Sequence, residues 1–142
     1  MIYTDNTKKA LLFMFNKHKE QYDKSQMPYV FHPFIVAESM DDEDSTIVAL
    51  LHDVIEDTTT TIDDIIELGF SNNVIDALKL LTHDKNEDYF DYIKRIKTNP
   101  IAIKVKLADL KHNSDLSRLN VITEKDLQRV KKYKKSIDIL TK

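Results

Sequence analysis

The chain has no cysteine, no tryptophan, one glycine and three prolines in 142 residues. Without cysteine there is no disulfide framework and no thiolate to hold zinc, and a reducing compartment suits such a composition. The single glycine, Gly69, excludes phosphate-binding loops and dinucleotide folds, because both need several glycines to bring backbone close to phosphate. Any phosphate chemistry must then run on side chains and metal. An excess of one charge is missing too. The 21 basic and 24 acidic side chains leave a formal charge of −3, so no global field favours nucleic acid or an anionic membrane as partner. The apolar run near the N-terminus, Ala10 to Phe15, is six residues long. That is too short to cross a bilayer, and no small-residue cleavage site follows it. The expectation is a complete cytoplasmic chain without a leader or membrane span.

What is present is helical pattern. Apolar residues make up 42% and charged residues 32%, ordinary for a soluble domain with its own core, and the length predicts one domain over residues 1–142. A first helix is expected from about Thr4 to Gln21. A turn at "DKSQMP" leads through Pro28 into "YVFHPFIVAESM", where Pro33 is tolerated only near a helix start and holds His32 in or before a first turn. "DDEDS" suits the start of the next helix, with Asp44 or Ser45 as cap. Thr60 or Thr61 with Asp63 or Asp64 makes a capping box, and Gly69 ends that helix. Val74, Ala77, Leu78 and Leu81 share a face, as do Tyr89, Tyr92, Ile93 and Ile96. Pro100 opens a further helix, although Ile101 to Leu107 alternates like a strand, and Thr123 opens the last. There Leu127, Val130, Ile137 and Leu140 are expected inside, and Lys131, Lys132, Lys134 and Lys135 outside. The pattern predicts an all-α fold of about seven or eight helices.

One stretch asks for chemistry. "IVALLHDVIEDT" is apolar from Ile47 to Ile55, as in a helix buried in a core, yet it carries His52, Asp53, Glu56 and Asp57. Helical spacing of three and four residues crowds these groups on one side. Three carboxylates beside an imidazole repel or shift in pKa unless a cation joins them, and a divalent metal with neutral imidazole and carboxylate ligands resolves the conflict. Two more segments offer ligands: His32, stiffened by Pro33, and Asp109 in "VKLADLKHN", with Asn113 one turn later. Two nitrogens and two oxygens leave room for water, the mark of a catalytic rather than a closed site. Glu56 could orient that water or move its proton, while Lys24 and Lys106 could steady phosphate oxygens. Taken singly, the bland readings stand beside these. His32 could be a core or capping histidine, Asp109 could pair with Lys106 or Arg118, and His52, Asp53 and Glu56 could form a buried salt-bridge network. His18, His83 and His112 are expected in structural or solvent positions.

"YVFHP", "LLHDVIEDT" and "VKLADLKHN", in that order, resemble the three motifs of the HD-domain metal-dependent phosphohydrolases, and within them the hydrolase domain of RelA/SpoT-type enzymes and the small alarmone hydrolases. The likeness runs from about Lys17 to Leu119. It implies a single all-α HD-domain fold and Mn²⁺ held by His32, His52, Asp53 and Asp109. It implies removal of the 3′-pyrophosphate from guanosine tetra- or pentaphosphate, with Glu56 and Asp57 as catalytic acids. It also implies substrate contacts from Lys24, Ser25 and Asn113. Two positions depart from the family pattern: Asp23 stands where an arginine stacks on guanine, and Gln26 where glycine is usual. Asp23 makes another nucleotide or phosphoester the alternative substrate. A nucleotide-binding helical module without catalysis is the alternative of another class.

Overall fold

The computed structural model describes residues 1–142. Nine α-helices follow one another: α1 (Asp5–His18), α2 (Phe31–Glu38), α3 (Glu43–Leu51), α4 (Val54–Asp57), α5 (Ile62–Glu67), α6 (Asn72–Leu81), α7 (Tyr89–Ile96), α8 (Pro100–Asn113) and α9 (Glu124–Thr141). A 3-10 turn, Leu116–Arg118, precedes α9, and the only extended pairing is an isolated bridge between Tyr22 and Pro28. The expected helix through Ile47 to Asp57 is interrupted: α3 stops at Leu51 and α4 resumes at Val54. Counted as one broken rod, α3 and α4 bring the number to eight. Asp53 sits at the break with φ −104° and ψ −3°, in the sparsely occupied bridge region where many active-site residues lie.

Helix α3 is the hub. Every residue from Ser45 to Leu51 is buried, and α3 packs against α1, α2, α6 and α8. Twenty-five buried apolar residues form one continuous cluster, so the helices share a single core instead of dividing into separate layers. No helix is long and apolar enough to cross a membrane.

Helix starts follow local chemistry. Thr4, Thr61 and Thr123 each accept a hydrogen bond from the N3 backbone of the following helix and complete a capping box, satisfying donors that have no partner inside the helix. The cap of α3 is Asp42, bonded to Ser45 N at 2.7 Å, not the expected Asp44 or Ser45. Those residues already lie in the first turn, whose N–H groups need a carboxylate from outside. Gly69 follows the end of α5 with φ +84°, the left-handed conformation that glycine enters without a Cβ penalty. The alternating stretch from Ile101 is helical within α8. Pro100 occupies its first turn, and Asn99 accepts from Ala102 N at 3.0 Å. In α9, Leu127 is 42% exposed rather than inside. At that level the inward position belongs to Asp126, which closes the Thr123 cap and pairs with Lys24 at 3.3 Å.

Leu50, fully buried in α3, tests this arrangement. Truncation by Leu50→Ala should cost about 2–5 kcal/mol, read from the urea midpoint at unchanged slope.

Candidate functional site

Three helices deliver four donor side chains to one point. His32 comes from the first turn of α2, His52 and Asp53 from the break after α3, and Asp109 from α8. One donor atom of each lies within 4.8 Å of all the others, and no other group of three or more such residues converges in the chain. Nε2 of His32 and Nε2 of His52 stand 2.8 and 3.3 Å from Oδ1 of Asp109. The same two nitrogens stand 3.7 and 3.1 Å from Oδ2 of Asp53. Neighbouring ligands on a small octahedral cation, at bonds of about 2.1 Å, are separated by about 3.0 Å. The spacing and the N₂O₂ chemistry fit a divalent ion.

The shell behind the donors holds them in place. Nδ1 of His52 lies 2.5 Å from the Ala49 carbonyl, so Nδ1 donates to that carbonyl and Nε2 is the nitrogen turned to the cluster. The Asp109 carboxylate is split. Oδ2 takes the Lys106 ammonium at 3.0 Å, and Oδ1 takes the histidines and Nδ2 of Asn113 at 3.0 Å. Tyr29 donates its hydroxyl to Asp53 and, at 3.4 Å, to Asp57. Burial alone would push His52 down, but Asp53 and Asp109 outweigh it and hold the imidazole well above its usual range. Burial likewise raises Asp109, yet Lys106 and the two histidines pull it well below the carboxylate range. For Asp53, His52 outweighs burial and brings the group to about 2. Each sign says the same thing: the two aspartates are ionised and demand positive charge.

Glu56 and Asp57 lie at the exposed rim. Desolvation raises both carboxyl groups, helped by Asp53, while a hydrogen bond from His83 N opposes the rise at Glu56. The acids that keep protons longest are thus the two outside the ligand cluster, the property a proton-transfer group needs. Of the remaining histidines, His18 is fully buried beside Tyr29 with ring centroids 5.1 Å apart. His83 Nε2 bonds the Glu87 carbonyl at 2.8 Å. Nδ1 of His112 meets Nδ1 of His32 at 2.7 Å, and burial, then Arg118 and His32, bring His112 down to about 4.

A cavity of about 300 Å³ adjoins the cluster through His32, with Tyr29 and Asn113 also on its wall. Lys24 and Ser25, expected at the substrate, line it too. Lys106 does not. It is turned into the protein between Asp109 and the Tyr92 ring, its side chain 13% exposed, and there it pairs with Asp109.

Sequence reasoning missed Tyr29, Arg118, Arg129 and Tyr133, all on this cavity. Tyr29 stood in view three residues before His32, but no spacing rule reveals that its hydroxyl reaches Asp53. Arg118 follows the last motif in the 3-10 turn, and Arg129 and Tyr133 are brought back by the return of α9. The departures from the family pattern have local explanations. Oδ1 of Asp23 accepts the N–H groups of Ser25 and Met27 at 2.8 and 3.0 Å, an Asx-type turn. Gln26 has φ +67°, the conformation in which glycine costs least. A guanidinium still faces that position: Nη2 of Arg118 lies 3.7 Å from Oδ2 of Asp23.

No family model matches the chain. Among curated proteins it is 36% identical over 124 residues to the guanosine-3′,5′-bis(diphosphate) 3′-pyrophosphohydrolase MESH1 of Xenopus tropicalis, a match covering 77% of this chain and 68% of that protein. It is 32% identical over 119 residues to the guanosine-3′,5′-bis(diphosphate) 3′-pyrophosphohydrolase of Aquifex aeolicus, covering 75% of this chain but 17% of that relative. The chain therefore spans about a sixth of the long relatives it matches. The solved structure described as "A metazoan ortholog of SpoT hydrolyzes ppGpp and plays a role in starvation responses" superposes with a TM-score of 0.81 at 26% identity, over 99% of this chain and 88% of that one.

A divalent cation at one hundred times its dissociation constant should raise the unfolding free energy by about 2.7 kcal/mol, seen as a shift of the thermal midpoint. Asp109→Asn should abolish the cation-dependent shift.

Proposed function

The chain belongs to the family of guanosine-3′,5′-bis(diphosphate) 3′-pyrophosphohydrolases, and from that premise we propose that residues 1–142 form one hydrolase domain. It releases pyrophosphate from the 3′ position of guanosine tetra- or pentaphosphate, with Mn²⁺ held by His32, His52, Asp53 and Asp109. The observation that carries this reading is the convergence of those four donors within 4.8 Å, next to two carboxyl groups with raised pKa and beside a cavity of about 300 Å³ that His32 lines. When bound, the ion lowers the pKa of a coordinated water toward neutrality and neutralises negative phosphate oxygens.

The chain's own residues do the rest. Glu56, held from behind by His83 N, takes the proton of the attacking water. Asp57, close to Tyr29 and Asp53, returns a proton to the leaving 3′ oxygen. Lys24, Arg118 and Arg129 on the cavity wall counter the charge of the phosphate chain. Ser25 and Asn113 border the same space, and Asn113 also orients Asp109. Water adds to phosphorus, the bond from phosphorus to the 3′ oxygen breaks, and one proton moves in while another moves out. A cysteine-free chain that turns over a nucleotide suits the cytoplasm.

Asp23 favours a second reading, in which the same chemistry acts on another nucleotide or phosphoester, because an anion stands where a base-stacking cation is usual. A third, a binding module without turnover, is disfavoured by the retention of Glu56 and Asp57. A nucleotide panel with Mn²⁺ separates the three. Pyrophosphate from guanosine tetraphosphate supports the first, and orthophosphate from another nucleotide the second. Tight binding of nucleotide without turnover supports the third. Under the first reading Glu56→Gln should lower kcat by about 10²–10⁴-fold while nucleotide binding, measured by calorimetry, stays near that of the parent.

A further inference from the structure

His32 and His112 meet through their Nδ1 atoms at 2.7 Å, with ring planes 12° apart. Two ring nitrogens at that distance share one proton: one donates and the other accepts. His52 faces no such choice, since the Ala49 carbonyl can only accept. The second nitrogen of His32 looks instead at an imidazole, which can play either part. His112 is well placed to do so. It sits in the last turn of α8, three residues after Asp109, and its carbonyl is tied by Nη1 of Arg118 at 2.9 Å.

We propose that His112 is a positioning residue whose tautomer is coupled to that of His32, so that occupation of the cluster by a divalent cation reverses both rings together. The inference rests on the ligand assignment made under the proposed function. With no cation, Nε2 of His32 carries a proton and donates it to Oδ1 of Asp109, 2.8 Å away, while Nδ1–H of His112 donates to the bare Nδ1 of His32. A cation that takes Nε2 of His32 displaces that proton to solvent. The Nδ1 proton of His112 passes to Nδ1 of His32, and a solvent proton fills Nε2 of His112. Each ring carries one proton before and after, so the pair accepts the cation without a net change of its own charge. His112 is partly exposed, which leaves solvent within reach of its ring. A carbonyl partner would favour the lone pair on Nε2 at all times. An imidazole partner lets His32 donate to Asp109 when the cluster is empty and bind when it is filled, keeping buried polar groups satisfied in both conditions.

The test is a long-range ¹H–¹⁵N correlation spectrum of the full chain with ¹⁵N-labelled histidine, recorded with and without Zn²⁺ as a diamagnetic probe. The expected result is a protonated Nδ1 on His32 and a protonated Nε2 on His112 with Zn²⁺, and the reverse pattern without it. Zn²⁺ bound while His112 keeps its proton on Nδ1 overturns this inference alone. Failure of Zn²⁺ to bind overturns the ligand assignment and this inference with it. Two variants add a second readout. His112→Phe keeps a ring but has no acceptor, and should lose about 10–100-fold in Zn²⁺ affinity. His112→Asn places a carbonyl oxygen near the lost Nδ1 and should recover most of that loss. Equal losses in the two variants count against the coupling. Should either variant fail to fold, the spectrum of the unsubstituted chain decides.

Discussion

One carboxylate holds the molecule's chemistry together. Asp109 is 4% exposed, and an ionised group buried to that extent survives only when every lone pair is used. Here Oδ2 is used by Lys106 and Oδ1 by two imidazoles and an amide. The arrangement forces the three helices into register. α8 must present Asp109 where the first turn of α2 brings His32 and the end of α3 brings His52, or the buried aspartate loses both imidazoles. The packing of α3 against α2 and α8 is therefore as much an electrostatic requirement as an apolar one.

Around that point the site divides into a rigid part and an open part. The donor cluster is built on helices locked by core packing, and its members are held from behind by Ala49, Lys106, Tyr29 and Asn113. The cavity beside it is walled by loop residues 19–30 and the start of α9. Asp126 bridges the two walls: Oδ2 closes the Thr123 cap, and Oδ1 faces Lys24 at 3.3 Å and Arg129 at 3.4 Å. The cations that would meet an anionic substrate are thus spaced by an acid and kept from collapsing on one another. Asp23 does the same for Arg118, more loosely. Such loose pairs on a cavity wall can be exchanged for phosphate at little cost, since partly exposed ion pairs contribute little stability.

Much of this was legible in the chain. The broken apolar run through His52 and Asp53 announced buried charge, the His32–Pro33 pair announced a stiff first turn, and Asp109 with Asn113 marked a polar face on α8. These signals are local, carried by helical spacing and by the cost of burying ions, so they survive without knowledge of the fold. Leu127 was misplaced because periodicity counts apolar residues and cannot know that Asp126 is needed for a cap and two cations. Lys106 stayed open between pairing with Asp109 and reaching a phosphate for a related reason. A lysine beside an aspartate in sequence can face either side of it, and only the Tyr92 ring packed behind it decides which.

Sequence by itself determined the helical class and the caps at Thr61 and Thr123, and it singled out four candidate donors, because each of these signals is local to a turn or two of chain. The tertiary structure alone decided that Tyr29 reaches Asp53, that His112 backs His32, and that Arg118, Arg129 and Tyr133 share a wall with Lys24. Those contacts join residues distant in the chain or on different helices, and helix packing, not helical spacing, sets the distances between them.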